Sequence, residues 1–369
     1  MIELAGSEHD WPAYDSLWIR WARVFPASHR APLSARAVPA AAHHDAAALR
    51  RAVAEANDEW DSDVGWAVVA FAENPSAART LVQPRLAKVS APWDRTAVRW
   101  TLAAIDLAEG QWWAAERELV GAEEELTRGG LVNPLEFSFW HRAACAALQP
   151  LPVPRARIAA VRDEISQWDP SVPLVGATPG PMMPLRPHVR LYLLSILDSR
   201  LGAHGAALRD LAALERLSVP PDGRVAVSHL VGVARASIAW QHEDAAGVLT
   251  SLDRISSQLP LSHNVLEFVD VQARWLRAEA LRSQGRDREA LRWFASVPEA
   301  NHIFGRLLQV ALQAPSKLRM AELYDRQGDV GRARELYEKF VYLWADADPE
   351  AHEVVARARQ RAARLLAVP

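Results

Sequence analysis

His141 and Cys145 stand four residues apart in the stretch FSFWHRAACAAL, so on a helix they share one face. An imidazole beside a thiol can generate a thiolate nucleophile if the sulfur is partly exposed and its pKa is depressed. The neighbours here are apolar and small, and core packing is the expectation. His43-His44-Asp45 offers two imidazoles, but a metal site needs three or four convergent ligands. Asp45 is read instead as the cap of a helix over 44–58. His242-Glu243 and His352-Glu353 each lack the second histidine that a zinc-binding HExxH helix requires. Asp346 and Asp348 precede Pro349 in a turn without the longer acidic loop of a calcium site. Glu123, Glu124 and Glu125 fall on successive helical faces, cannot converge as a catalytic pair, and are expected to be solvated. No phosphate loop, dinucleotide-binding glycine motif or nucleophile elbow occurs. No catalytic, cofactor-binding or metal-ligating residue is assigned, so the expectation is a protein that is not an enzyme and uses no cofactor.

The composition narrows the classes further. The 42 basic and 45 acidic side chains give a net charge of −3, without the excess of cations that phosphate neutralisation needs, so no nucleic acid is expected as a partner. One cysteine excludes an internal disulfide. No stretch is apolar and long enough to span a bilayer, and the first residues lack the basic and apolar regions of a signal peptide. No membrane association and a cytoplasmic location are expected. Half of the residues are hydrophobic, enough to build a packed core.

The elements that would position any site are helices. In 317–345, Leu318, Ala321 and Leu323/Tyr324 form one apolar stripe, Gln327-Gly328-Asp329 breaks it, and Ala333, Leu336, Tyr337, Phe340 and Val341 begin another. Gly328 can end the first helix in the left-handed conformation and Asp329 can cap the second. The small Ala333 suits the close approach of two antiparallel helices. The same grammar recurs around Gly285, with Ala278 and Leu281 before it and Ala290, Phe294 and Val297 after it. Looser copies break at Gly202 and Gly110. Others, lacking the glycine, break near 74, 152 and 242. Spacings of roughly 40 residues are the mark of stacked helix pairs.

The Gly285 and Gly328 units resemble tetratricopeptide repeats. The matching positions are Ala278, Leu281, Gly285, Ala290, Phe294 and Pro298 in one, and Ala321, Tyr324, Gly328, Ala333, Tyr337 and a displaced Pro349 in the other. The period is longer than the family's, as in relatives found in bacterial signalling and transcriptional regulators. The resemblance implies an all-α fold, a right-handed α-solenoid of about seven TPR-like antiparallel helical hairpins with a C-terminal capping helix. Residues 1–62 are expected to form an N-terminal helical cap. Hairpins should occupy 63–169 and 188–349, with a proline-rich loop or linker at 170–187 and the capping helix at 350–369, where Arg357, Arg361 and Arg364 face solvent.

The resemblance also implies a concave groove lined by the first helix of each hairpin, binding a protein or peptide partner. Carried onto the matched units, it singles out Trp275, Glu279 and Arg282, then Leu318, Glu322, Asp325 and Arg326. Weaker units add Trp100, Tyr192, Arg200 and Arg235. A ligand-sensing domain of a signalling or transcription-control system is the alternative, and a helical enzyme with an unrecognised site is the third. Tryptophan is over-represented, with 15 residues. Trp11, Tyr14, Trp18, Trp21 and Phe25 recur every three or four positions, making one aromatic helix face that either seals the first hairpin or docks a partner.

Overall fold

In a computed structural model, residues 11–24, 36–41, 43, 45–55, 62–172, 182–255, 259, 261–297 and 307–366 are described. Among them there is helix and no strand. The helices run α1 (Trp11–Val24), α2 (Ala46–Glu55), α3 (Ser62–Ala70), α4 (Pro75–Val82), α5 (Pro92–Ala108) and α6 (Trp112–Arg128). They continue as α7 (Val132–Ala147), α8 (Arg155–Gln167), α9 (Arg186–Arg200), α10 (His204–Arg216), α11 (Arg224–Gln241) and α12 (Ala245–Leu252). The last are α13 (Glu267–Ser283), α14 (Asp287–Ser296), α15 (Leu307–Ala311), α16 (Gln313–Arg326), α17 (Val330–Leu343) and α18 (His352–Leu366).

Each expected break falls between two helices that pack on one another. Gly110, Gly202, Gly285 and Gly328 all take positive φ, between 71° and 76°. At each, the glycine N–H returns to the carbonyl three residues back and the next N–H to the one five back, as in Gly328 to Asp325 (3.1 Å) and Asp329 to Tyr324 (3.0 Å). This Schellman closure satisfies carbonyls the helix end would leave bare. The break near 242 closes the same way on a non-glycine, Glu243, at φ 58°. The next helix is then capped: Asp329 accepts from the Arg332 N–H, Asp244 from Gly247, Asn74 from Ala77, and Asp45 from Ala47 and Ala48. The small residues at the crossings, Ala115, Ala207, Ala278, Ala290, Ala321 and Ala333, are wholly buried.

The stack returns on itself. Helices α7, α9, α11, α13 and α15 pack each on the next, and α15 then packs on α5. Trp100 on α5 links to α7 by donating its indole N–H to Ser138 Oγ at 3.1 Å. The turn after α17 closes the outer layer: the Asp348 N–H donates to Gly110 O (3.0 Å), the Trp113 N–H to Asp348 Oδ2 (3.0 Å), and the Gln111 side chain to Asp346 O (3.2 Å). Lys317 and Gln313 both donate to Glu73. The middle of this circuit is packed: Tyr192 donates to Gln272 at 2.6 Å and stacks on Phe268, which also meets His141 edge-on.

The ends of the proline-rich stretch are pinned together. Arg186 makes a two-pronged bond to Glu136 (2.8 and 2.6 Å) and also donates to Val172 O, while Met182 and Leu185 enter the core. Residues 173–181, Pro298, His44 and Phe25 lie outside the described residues, as do the side chains of Trp11 and Trp18. Of the aromatic face, Tyr14 is buried in the N-terminal core cluster and Trp21 is half-buried. On α18, Val355, Ala358, Ala362 and Leu365 are buried and Val354 is half-buried.

Candidate functional site

A cleft of about 340 Å³ opens between α16, α17 and α18. Its floor is apolar: Pro315 and Leu318 from α16, Phe340 from α17, Trp344 just beyond it, and Val354 and Ala358 from α18, with Pro150 reaching in from the turn after α7. Its polar groups are Arg319, Glu322, Tyr337, Arg357 and Arg361. The helical repeat explains the grouping, because Pro315, Leu318, Arg319 and Glu322 recur at three- and four-residue steps on one face of α16.

Charges along one wall form a chain from α13 to α16. Arg282 donates to one oxygen of Glu279 at 2.8 Å, and Arg319 donates to the other at 2.7 Å. Arg319 also reaches Glu322 at 3.0 Å. Burial alone would lower the Arg319 guanidinium, but Glu279 and Glu322 more than offset it and hold the proton more tightly than usual. On the other wall, Arg361 grips Asp325 with two bonds of 2.5 and 2.6 Å, and Tyr337 donates to the same carboxylate at 3.5 Å. The Arg361 bond holds the Asp325 carboxyl below its usual range, whereas burial and then Asp325 push the Tyr337 phenol up.

Arg361 is therefore not simply solvated: it ties α18 to α16. Arg357 is exposed at the mouth and, among the described residues, engages only Glu353 one turn back. Nothing in this set forms a nucleophile–base pair. Two anchored arginines, one exposed arginine and an apolar floor are suited to holding carboxylates and an aliphatic side chain.

No family model, curated protein or solved structure matches this chain. The site rests on its own geometry.

Of the residues expected to line a groove, Leu318 and Glu322 border the cleft, and Glu279, Arg282 and Asp325 bond to residues that do or to their partners. The others lie elsewhere. Trp275 is 1% exposed and packs edge-on against Phe294. Tyr192 is fully buried in the centre. Arg200 donates to Leu151 O at 2.7 Å, and burial lowers its guanidinium to about 10. Arg326 pairs with Asp287 between α16 and α14, and Arg235 pairs with Glu215 between α11 and α10. Arg319, Tyr337, Arg357 and Pro150 were not expected at a site. Arg319 could have been found from its position one residue after Leu318 on the inward stripe; nothing in the sequence pointed to Pro150.

The remaining chemical candidates resolve as structure. Cys145 is fully buried, and burial first, then Glu267, pushes its thiol far up, so no thiolate forms. His141 Nδ1 lies 2.7 Å from Phe137 O and its Nε2 faces Glu267 at 3.6 Å. Glu125, expected to be solvated, is only 2% exposed and pairs with Arg95 and Arg128; Glu123 pairs with Arg142. Neighbouring charges look alike in sequence, and distant partners such as Arg95 and Arg142 set which of them is buried. Asp348 is a latch acceptor for the Trp113 N–H. Among the described residues no group of three or more His, Cys, Asp or Glu is placed to hold a metal ion, and no helix is long and apolar enough to cross a membrane.

Proposed function

We propose that the protein is a non-catalytic interaction module, a tetratricopeptide-like array of helical hairpins that takes a peptide or protein partner in the C-terminal cleft. The observation that carries this reading is the joining of an apolar floor to arginines at one open cleft. Arg357 is free to turn from Glu353, since an exposed i,i+4 pair is worth only about 0.5 kcal/mol. The floor supplies area for an aliphatic or aromatic side chain.

A second reading, ligand sensing, draws on the cleft's size, which falls within the range of small-molecule sites. Photo-crosslinking separates the two. A benzophenone amino acid is placed at position 357, in the cleft, and in a control protein at the exposed position 88. The host lysate is irradiated and crosslinked chains are identified by mass. A partner joined through 357 and absent from the 88 control supports the interaction module. Crosslinks that are equal at both positions, or lacking at 357, overturn it, and stabilisation by metabolite fractions of the same lysate then tests sensing.

A further inference from the structure

On another face, α10, α11 and α12 enclose an open groove of about 520 Å³ whose charges are unbalanced. Arg224, Arg235 and Arg254 line it, against one carboxylate, Glu215. Glu215 is taken by Arg235 at 2.8 Å. Among the described residues neither Arg224 nor Arg254 has an ion-pair partner, and both are exposed. The chain as a whole carries −3, so this local excess is not a by-product of a basic protein.

Between the cations the surface is aliphatic. Val231 and Ile255 are partly buried and Val219 is 41% exposed. Gly232 makes this seam: a Cβ there would stand 2.5 Å from Ile255 Cγ2, so the glycine lets α12 settle against α11. Arg224, Ser228, Val231 and Arg235 recur at helical spacing on one face of α11. At 1.5 Å per residue, the two arginines lie about 16 Å apart along the axis, with Val231 between them.

We propose that this groove docks an acidic amphipathic segment of a partner protein, with aliphatic side chains on the Val231–Ile255 floor and carboxylates on Arg224 and Arg254. Guanidinium groups bind carboxylates through paired N–H donors, and apolar contact between them excludes water. A nucleic acid fits the groove less well. Its lining includes no aromatic ring for a base to stack on, and the aliphatic floor offers nothing to a phosphate backbone. The proposal does not depend on the C-terminal cleft.

The test uses the full chain and fluorescence anisotropy with a labelled helical peptide of glutamate and leucine, its leucines on one face. A second peptide has every glutamate replaced by glutamine. The acidic peptide should bind in the micromolar range, more weakly as salt rises, and about tenfold more tightly than the glutamine peptide. Arg224→Glu/Arg254→Glu, with helicity checked by circular dichroism, should weaken binding at least about tenfold, and Arg224→Ala/Arg254→Ala by less. Arg357→Glu, in the other cleft, should leave this affinity unchanged, which separates this site from that one. Equal binding of the two peptides, or full binding by the charge-reversed variant, overturns the proposal. So does capture of phosphatidylserine vesicles through Arg224 and Arg254 by a protein that ignores the peptide.

Discussion

Gly110 lies against Trp344 so closely that a Cβ on the glycine would stand 2.9 Å from the indole, and the same distance from Ala347. The contact joins the turn between α5 and α6 to the end of α17, and Asp348 completes it by donating its N–H to Gly110 O. Gly110 is thus held by two requirements at once, a φ of 71° and a close approach. Gly285 has the first without the second: its φ is 72°, but a Cβ added there would meet no atom within 4 Å. The pair separates backbone cost from packing cost. Gly285→Ala should destabilise by about 1 kcal/mol, the left-handed penalty alone. Gly110→Ala should cost about 2 kcal/mol more, because Trp344 must move. Denaturant midpoints measure both, and equal losses would mean that the closure contributes nothing to stability.

Glu243 offers the reverse experiment. It occupies the position that glycine fills at five other helix ends among the described residues, at φ 58°, with its N–H donating to Trp240 O and the Asp244 N–H to Ala239 O. Its side chain is exposed, so removing it sacrifices no core contact. Glu243→Gly should stabilise the protein by about 0.5–1 kcal/mol, the relief of left-handed strain less the entropy of a freer unfolded chain. A higher guanidinium midpoint with an unchanged slope is the expected result; an unchanged midpoint would show that Glu243 is held there by contacts that repay its strain.

These two positions also show what the sequence makes legible. Helix ends are local: a glycine followed by a capping aspartate, as at Gly328-Asp329, announces a break from a few residues, and the breaks fall where that grammar puts them. Alanine at the crossings is equally local, since Ala278 and Ala333 both sit within about two turns of their breaks. Closure is not local. Glu73 and Lys317, or Gly110 and Trp344, meet only because of the summed rotation of every pair between them. A groove inferred from one hairpin at a time therefore sends Trp275 and Tyr192 to a surface that the circuit fills. Leu318 and Glu322 border the cleft because they lie at the end of the circuit, where α18 leaves it open. Arg319 and Arg361 were missed because an arginine on a mixed face resembles any solvated one until its distant carboxylate is known.

Asp106 gives a pH dependence with a defined sign. It is 2% exposed, and burial raises its carboxyl to about 6 in spite of the Arg79 bond at 2.7 Å. A carboxyl raised in the folded state contributes stability that is fully present below its unfolded value near 4, and loses it as pH rises through about 6. Asp106→Asn, isosteric and uncharged, should gain on the parent over this window by up to about 3 kcal/mol. Arg79 keeps Glu109 as a partner in the variant. Unfolding free energies for parent and variant between pH 4 and 8 check it. A constant difference would mean that Arg79 holds Asp106 ionised throughout.

The most deeply placed charge should prove the least tolerant of losing its neighbour. Glu267 is fully buried on α13, neither carboxylate oxygen accepts a hydrogen bond from the described residues, and His141 Nε2 faces it at 3.6 Å. The other imidazole nitrogen, Nδ1, lies 2.7 Å from Phe137 O, and a carbonyl only accepts, so Nδ1 carries a hydrogen. A neutral ring then presents a bare Nε2 to a carboxylate, lone pair against lone pair. No donor stands between them. Glu267→Gln supplies one, because its amide can donate to the bare nitrogen, and it should raise stability by about 1 kcal/mol or more. His141→Phe strands the carboxyl among apolar groups and should cost about 3 kcal/mol. The double variant should recover most of that loss, a coupling that independent sites would not show. Denaturation of the four proteins decides it, and additive effects would show that His141 and Glu267 do not interact.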